Sequence, residues 1–546
     1  MSRWRATRLI GVALSAWLSR RARLLADVEF WRRNTSRLQV DQLRQLLQRA
    51  ASTEFGRGHR FKTLLRATDV DLVSAYRCEV PIADIAAFRP LIARMREGGE
   101  PNVLWPGLVR AFAQTSGTTA GDKYIPVSQE MMRGNLRAAM DLFATSARFG
   151  TSLAAMTAGR CVFLGGSTAL AMNEHGIATG DLSGLVTPLI RWPASAVYSP
   201  GPDIALMRDW PRKIEALARL TLEQDVTFVS GMASWELVLF KRVVELARER
   251  GQAVGQLRDI WPNLAMLVHG GVNYAPFAAS MRDVWSGSRS GEDFPHRLEV
   301  YPASEGFIAM QDSPGDPGLR LLADNGIHYE FVPLEQGDCD DAEAFTCAEV
   351  ELGQRYLVVM STNAGLWRYR IGDVVEFDSV PARPDGRSGT GPCRLRIVGR
   401  QKHFINAFGE NLIVENIEMA VTAAASATGA VIGEFTAAPV YPTRDQRAGL
   451  ELIVELDRSE REHDAALLRS FRGVFDSALC ALSVDYSVKR SGDCGMSEPT
   501  VTFVPTGSVH RWMAACGKLG GQHKCPRCAN HREYVDGVRR AAGVSQ

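Results

Sequence analysis

The chain carries almost no excess charge. Its 63 lysines and arginines stand against 61 aspartates and glutamates, a formal net charge of +2. That argues against a dedicated nucleic-acid binder, which needs a strongly basic surface. No apolar run is long enough to cross a bilayer as a helix. No second Cys-x-x-Cys pair partners Cys525 and Cys528, so a closed zinc site is incomplete even with His523 and Cys516 nearby. There is no Gly-x-Ser-x-Gly elbow, so an α/β-hydrolase reading has no nucleophile to start from. Internal repeats and low-complexity tracts are also missing.

What remains is an ordinary globular composition over a long chain. Hydrophobic residues make up 46% and charged residues 23% of 546 positions. One hydrophobic core rarely serves that length, so two domains or more are expected. Ten cysteines are scattered without a framework. A chain this long needs no disulfide staples, and reduced thiols in a cytosolic protein are expected.

The N-terminus combines arginines with an apolar run. Arg3, Arg5 and Arg8 precede Leu9–Leu18, and Arg20, Arg21 and Arg23 follow. Arginines stand where a signal peptide would place small cleavage-site residues. The segment reads as a first helix packed on the body; a basic helix lying in a membrane interface is the alternative.

Periodicity then divides the chain. Residues 27–61 read as helical, with Val40, Leu43, Leu46 and Leu47 at helical spacing and Gly56 and Gly58 ending the stretch. Strands are predicted at 160–164, 226–229 and 264–268, the first and third running into glycine pairs, with a helix over 235–250. Strand, glycine turn and helix in alternation imply an α/β layered body. From 327 to 377 strand signals dominate, which predicts an antiparallel sheet or small barrel. Residues 381–392 read as an exposed loop. After Arg400 a helix from about Val414, a strand at 449–456 and a helix at 465–482 predict a small α+β domain.

Three segments carry candidate chemistry. The loop from Gln114 to Lys123 offers the hydroxyls of Thr115, Ser116, Thr118 and Thr119. Gly117 and Gly121 let backbone N–H groups approach a ligand closely, and Lys123 adds a point charge. This suits a polyphosphate, although the glycine spacing is not that of a Walker A loop, and the same composition suits a polar surface turn. YPASEG, Tyr301–Gly306, reads alone as a strand end with a turn. In WRYRIGDVV, Trp367, Tyr369 and Ile371 alternate with Arg368 and Arg370, and Gly372 turns the chain to present Asp373. An aspartate there can accept both hydroxyls of a ribose, or simply close a salt bridge. His269, at a predicted strand end before Gly270, fits either a ligand pocket or a hydrogen-bonded core position.

TSGTTAGDK, YPASEG and YRIGDVV, in that order, resemble the nucleotide motifs of acyl-adenylate-forming enzymes. Within that superfamily they are most similar to the Gretchen Hagen family of acyl-acid amido synthetases, and the segment 80–107 is similar to bacterial members. The resemblance spans roughly residues 45–535. It implies a large N-terminal α/β body with a β-barrel-like subdomain, residues 1–399, and a small mobile α+β lid, residues 400–546, hinged at Arg400. It implies that ATP is held by Thr115, Ser116, Gly117, Thr118, Thr119 and Lys123. Tyr301 would lie near the adenine, Ser304 and Glu305 would face the phosphates and Mg2+, and Asp373 would hold the ribose. Arg400 would reach the ribose or the α-phosphate. GKLGGQHKCPRCAN resembles the family's C-terminal loop, and implies a catalytic lysine at Lys524, with Lys518 second.

The implied reaction is ATP-dependent adenylation of a carboxylic acid, then acyl transfer to an amine such as an amino acid. Transfer to a thiol or hydroxyl, and a nucleotide-binding protein without turnover, are the alternatives. The loop departs from the family pattern at Thr119 and Ala120. No acyl-pocket position can be matched, so substrate identity does not transfer.

Overall fold

The computed structural model describes residues 7–115, 123–166, 170–207, 209–271, 274, 278–337, 339, 342–383, 389–400, 404–405, 412–430, 432–442, 447–456, 464–491, 495–516 and 527–544.

The central element is an eleven-stranded sheet. Its antiparallel half runs in the order Ile327–Pro333, Arg355–Thr362, Tyr369–Ser379, Arg394–Arg400, Leu319–Leu321, Gly306–Gln311 and Arg297–Ala303. Its parallel half continues through Met266–Gly270, Val226–Met232, Arg160–Phe163 and Tyr198–Ser199. The switch from one half to the other falls on Arg297–Ala303, the strand that carries Tyr301. The antiparallel strands expected after residue 327 are therefore present, joined to the α/β body as one sheet.

The strands of the parallel half need cover on both faces. One face takes Trp210–Leu222 and Ala233–Glu249, which pack with Trp261, Trp285 and Phe294. The other takes the first helix, Thr7–Ala26, and Gln129–Thr145. The first helix is held through Leu18 and Leu25, and through Arg21, which bridges Asp141 at 2.5 Å and Asp324 at 2.7 Å.

The helix predicted over 27–61 is interrupted. It runs Val28–Ala50, and a new short helix Glu54–Gly58 starts where the Thr53 hydroxyl accepts the Gly56 N–H. Gly56 thus lies inside a helix, where the carbonyl of Ala50 leaves no room for a Cβ.

A four-stranded sheet, in the order Lys123–Pro126, Ala111–Thr115, Ala178–Gly180 and Ala171–Met172, carries the threonine-rich loop. After residue 400, Ile432–Val440 pairs antiparallel with Gly449–Leu456, which pairs parallel with Thr500–Val504. Val414–Thr428 and Ala465–Leu482 cover one face; Ser508–Ala515 and Glu533–Ala542 cover the other. This part docks on the body through Lys489, whose ammonium sits 3.4 Å from the Trp210 ring centroid and 3.9 Å from that of Trp235. The Ser280 hydroxyl donates to the Pro442 carbonyl at 2.8 Å beside it.

Candidate active site

Hairpin geometry sets the first wall. Thr115 and Lys123 face each other across antiparallel strands, so the two ends of the segment between them are held side by side. Ser116, Gly117, Thr118 and Thr119 fall in that segment and lie outside the described residues. Lys123 at its base is described and is mostly buried. Its Nζ is 2.5 Å from Glu305 Oε1 and 5.1 Å from the centroid of the Tyr369 ring. Burial works against its charge, but the Glu305 carboxylate and Tyr369 outweigh burial and raise its pKa above the usual lysine value.

The second wall is the turn joining Arg297–Ala303 to Gly306–Gln311. Ser304 and Glu305 make that turn. Gly306 has φ +148°, a backbone conformation that favours glycine, and a Cβ there would also push on the end of the Ile327 side chain. Glu305 is 3% exposed, which a carboxylate tolerates only when paired, and Lys123 supplies the pair.

The third wall is Tyr369–Ser379. The sequence predicted that this strand ends at Asp373; it continues to Ser379. Gly372, at φ +91°, lies in a bulge, because the register against the neighbouring strand jumps between Val359–Arg370 and Leu357–Val374. A bulge re-aims the side chain beside it. Asp373 accepts the Tyr301 hydroxyl at 2.5 Å and is 4% exposed. On its other side its backbone partner is Arg400, whose side chain lies outside the described residues.

Three contacts therefore close a triangle. Lys123–Glu305 joins the loop base to the Tyr-x-x-Ser-Glu turn. Lys123–Tyr369 joins the loop base to the third motif, and Tyr301–Asp373 joins the second motif to the third. These contacts lie at the end of the strand where parallel and antiparallel pairing meet, a place where layered α/β folds commonly bind ligands.

Residues to which the sequence assigned no role also contribute. Tyr369 lies under the lysine. Arg368, in a left-handed conformation at φ 43°, donates to the buried Glu330 at 2.9 Å and anchors the motif from behind. Glu330 is 253 residues from Arg77, its second arginine partner, a pairing no local pattern announces.

His269 is fully buried. Its pKa is lowered to about 3 by burial and then by the Arg297 charge. Arginine can only donate, so Nε2, 3.0 Å from Arg297, is the acceptor and Nδ1 carries the proton, without a partner among the described residues. Glu236 is also fully buried, and neither carboxylate oxygen has a partner among the described residues. Burial raises its pKa well above the usual carboxylate range.

Lys518 and Lys524 fall in 517–526, outside the described residues. Cys528, just beyond, is buried, and its thiol is pushed up to about 12, by burial first and then by Glu418. Among the described residues no group of three His, Cys, Asp or Glu could hold a metal ion. No described helix is long and apolar enough to cross a membrane.

Sequence models of three domains match this chain. They are the GH3 family N-terminal domain over 24–187, the GH3 family central domain over 320–384 and the GH3 family C-terminal domain over 415–533. The indole-3-acetic acid-amido synthetase GH3.3 of Arabidopsis thaliana is 22% identical over 94% of this chain and 92% of its own length. The jasmonoyl–L-amino acid synthetase JAR4 of Nicotiana attenuata is 23% identical over 74% of this chain and 75% of its own. Among solved structures, the GH3.15 acyl acid amido synthetase superposes with TM-score 0.56 at 17% identity, covering 95% of this chain and 96% of its own. A 2-hydroxyisobutyryl-CoA ligase with an acyl-adenylate and CoA bound gives 0.50 at 16% identity, covering 92% of this chain and 91% of its own.

Proposed function

This chain belongs to the GH3 family, and from that premise we propose that it is an AMP-forming ligase: it adenylates a carboxylic acid with ATP and passes the acyl group to an amine. The observation that carries the reading is the triangle of contacts among Lys123, Glu305, Tyr301, Asp373 and Tyr369. The relatives named for indole-3-acetic acid and for jasmonoyl–amino acid synthesis support an organic acid as first substrate and an amino acid as acceptor.

In the first half-reaction the substrate carboxylate attacks the α-phosphorus of ATP and pyrophosphate leaves. Thr115, Ser116, Gly117, Thr118 and Thr119 position the phosphates, and Lys123 turns from Glu305 toward them. Asp373 accepts from the ribose hydroxyls, Tyr301 flanks the adenine, and Arg400 reaches the ribose or the α-phosphate. Glu305 would hold magnesium, a hard cation that prefers carboxylate oxygen. The ion would supply neutralisation of the triphosphate charge. Carboxylate and polyphosphate repel each other, so positioning and charge neutralisation do most of the work.

In the second half-reaction the amine attacks the acyl carbonyl and AMP leaves. Residues 1–399 form the body in this reading and 400–546 the lid, which in the first half-reaction brings Lys524, or failing it Lys518, to the charge growing on the α-phosphate. The lid also excludes water, which would hydrolyse the mixed anhydride.

The test is hydroxylamine trapping with pyrophosphate readout across aromatic, fatty and hormone-like acids, followed by amino-acid, thiol and alcohol acceptors. At least one acid is expected to release pyrophosphate, and an amine to release AMP fastest. ATP binding without pyrophosphate release from any acid would overturn the reading in favour of a non-catalytic nucleotide binder. Faster transfer to a thiol would move it to thioester formation.

A further inference from the structure

Helix Thr7–Ala26 has two unlike faces. The inner one is committed to the body: Gly11 lies against the Leu153 carbonyl, Leu18 and Leu25 are buried, and Arg21 is paired with Asp141 and Asp324. The outer one is uncovered among the described residues. Leu9 is 51% exposed, Val12 54% and Trp17 70%, with Ala13 and Ala16 between them. Residues 9, 12, 13, 16 and 17 follow helical spacing, so they form one continuous stripe two turns long. Arg8 stands at one end of the stripe, and Arg20 and Arg23 extend it at the other. All three are exposed, and among the described residues none is in an ion pair.

An apolar stripe headed by a tryptophan is costly to leave in water and marks a contact surface. The charge pattern selects the partner. Six arginines precede the first acidic residue, Asp27, while the whole chain carries only +2. A second copy of the same helix would set its outward Arg8, Arg20 and Arg23 against the same three. A nucleic acid would meet leucine, valine and tryptophan in the middle of its contact. An anionic lipid surface satisfies both parts: apolar side chains enter the headgroup–acyl boundary, tryptophan settles at that depth, and guanidinium groups meet phosphates. The helix is too short of apolar residues to span.

We propose that the outward face of Thr7–Ala26 docks this protein on the surface of an anionic bilayer, with the helix lying in the interface and its inner face still packed on the body. The proposal is independent of the catalytic reading.

The test uses the full chain and two sets of vesicles, phosphatidylcholine alone and phosphatidylcholine mixed with phosphatidylglycerol. Co-sedimentation is expected with the anionic set, with little on the neutral set, and it should weaken as salt rises. Two triple variants probe the face: Arg8→Glu/Arg20→Glu/Arg23→Glu and Leu9→Ser/Val12→Ser/Trp17→Ser. Both alter exposed side chains only, and an unchanged melting temperature checks that they fold. Each should lower the bound fraction on the order of tenfold or more. The proposal is overturned if the wild type ignores anionic vesicles at low salt, or if both folded variants bind as well as the wild type. A dimer that the serine variant dissociates, without vesicle binding by the wild type, would assign the face to a second copy instead.

Discussion

Tyr301 and Asp373, 72 residues apart, meet through a 2.5 Å hydrogen bond in which the phenol donates to the carboxylate. One lies on the strand where the sheet changes from parallel to antiparallel, the other beside a glycine bulge four strands beyond it. The bond fixes the carboxylate before any ligand arrives. Asp373→Asn should raise the KM for ATP by about 10–100-fold, because a charged acceptor is lost from the ribose contact. Tyr301→Phe should lower thermal stability, since a buried carboxylate oxygen loses a donor at a cost of about 1–3 kcal/mol. Pyrophosphate-release kinetics and thermal melts separate the two roles. A fall in melting temperature with an unchanged KM for Asp373→Asn would make the pair structural.

Lys123 and Glu305 are expected to be coupled. Removing either leaves a buried charge without its partner, at a cost of about 3–5 kcal/mol, and the double variant should recover part of that. Lys123→Ala should also slow adenylation about 10²–10³-fold. Because the lysine's pKa is raised, its charge is retained at every pH below the ordinary lysine value. Its stabilisation is lost only as pH climbs through the raised folded value, so this pair should give no pH dependence between neutrality and mild alkali. A double-mutant cycle on unfolding free energies checks the coupling.

Glu236 should make the protein more pH-sensitive than its surface suggests. Its folded pKa is raised above the unfolded value, so its contribution is most favourable in acid and falls away as pH rises above the unfolded carboxylate range. The loss approaches about 1.4 kcal/mol for each pH unit between the two values. Glu236→Gln should therefore be near neutral in stability at low pH and increasingly stabilising toward pH 8. Denaturant melts at several pH values test this; a parallel pH profile for both proteins would refute it.

Lys489 between Trp210 and Trp235 holds the C-terminal part on the body. A desolvated cation–π contact is worth about 2 kcal/mol, so Lys489→Met should loosen that docking without emptying the space. Small-angle scattering should register a larger radius of gyration, and an unchanged one would show that Tyr441 and Val488, which pack against the same core as Trp210 and Trp235, suffice.

Lys524→Ala is expected to slow adenylate formation about 10²–10³-fold with an unchanged melting temperature, and Lys518→Ala to do less. Single-turnover formation of the hydroxamate is the measurement. The reverse order would exchange the two lysines.

Much of this architecture was legible because its signals are local. Alternation and glycine placement gave the strands near 160, 226 and 264, and helical spacing gave the helices over 233–249 and 465–482. The errors were local too. The break near Thr53 was missed because a hydroxyl cap, rather than a glycine, restarts the helix. The strand through Asp373 was cut short because a left-handed glycine signals a turn and a bulge alike. The inward Arg21 and outward Arg20 of the first helix are indistinguishable until Asp141 and Asp324 are placed.

By itself the sequence determined which side chains were available for the chemistry, in three short segments whose composition needs no long-range information. Only the tertiary structure decided that Lys123 would meet Glu305 across 182 residues, and that Glu330 would gather Arg77 and Arg368. Those pairings join the eleven-stranded sheet to Lys123 of the four-stranded sheet and to Arg77 of the helix Leu72–Glu79, in a low-dielectric interior where an unpaired charge cannot remain. Neither such a junction nor such an interior exists in any local stretch of chain.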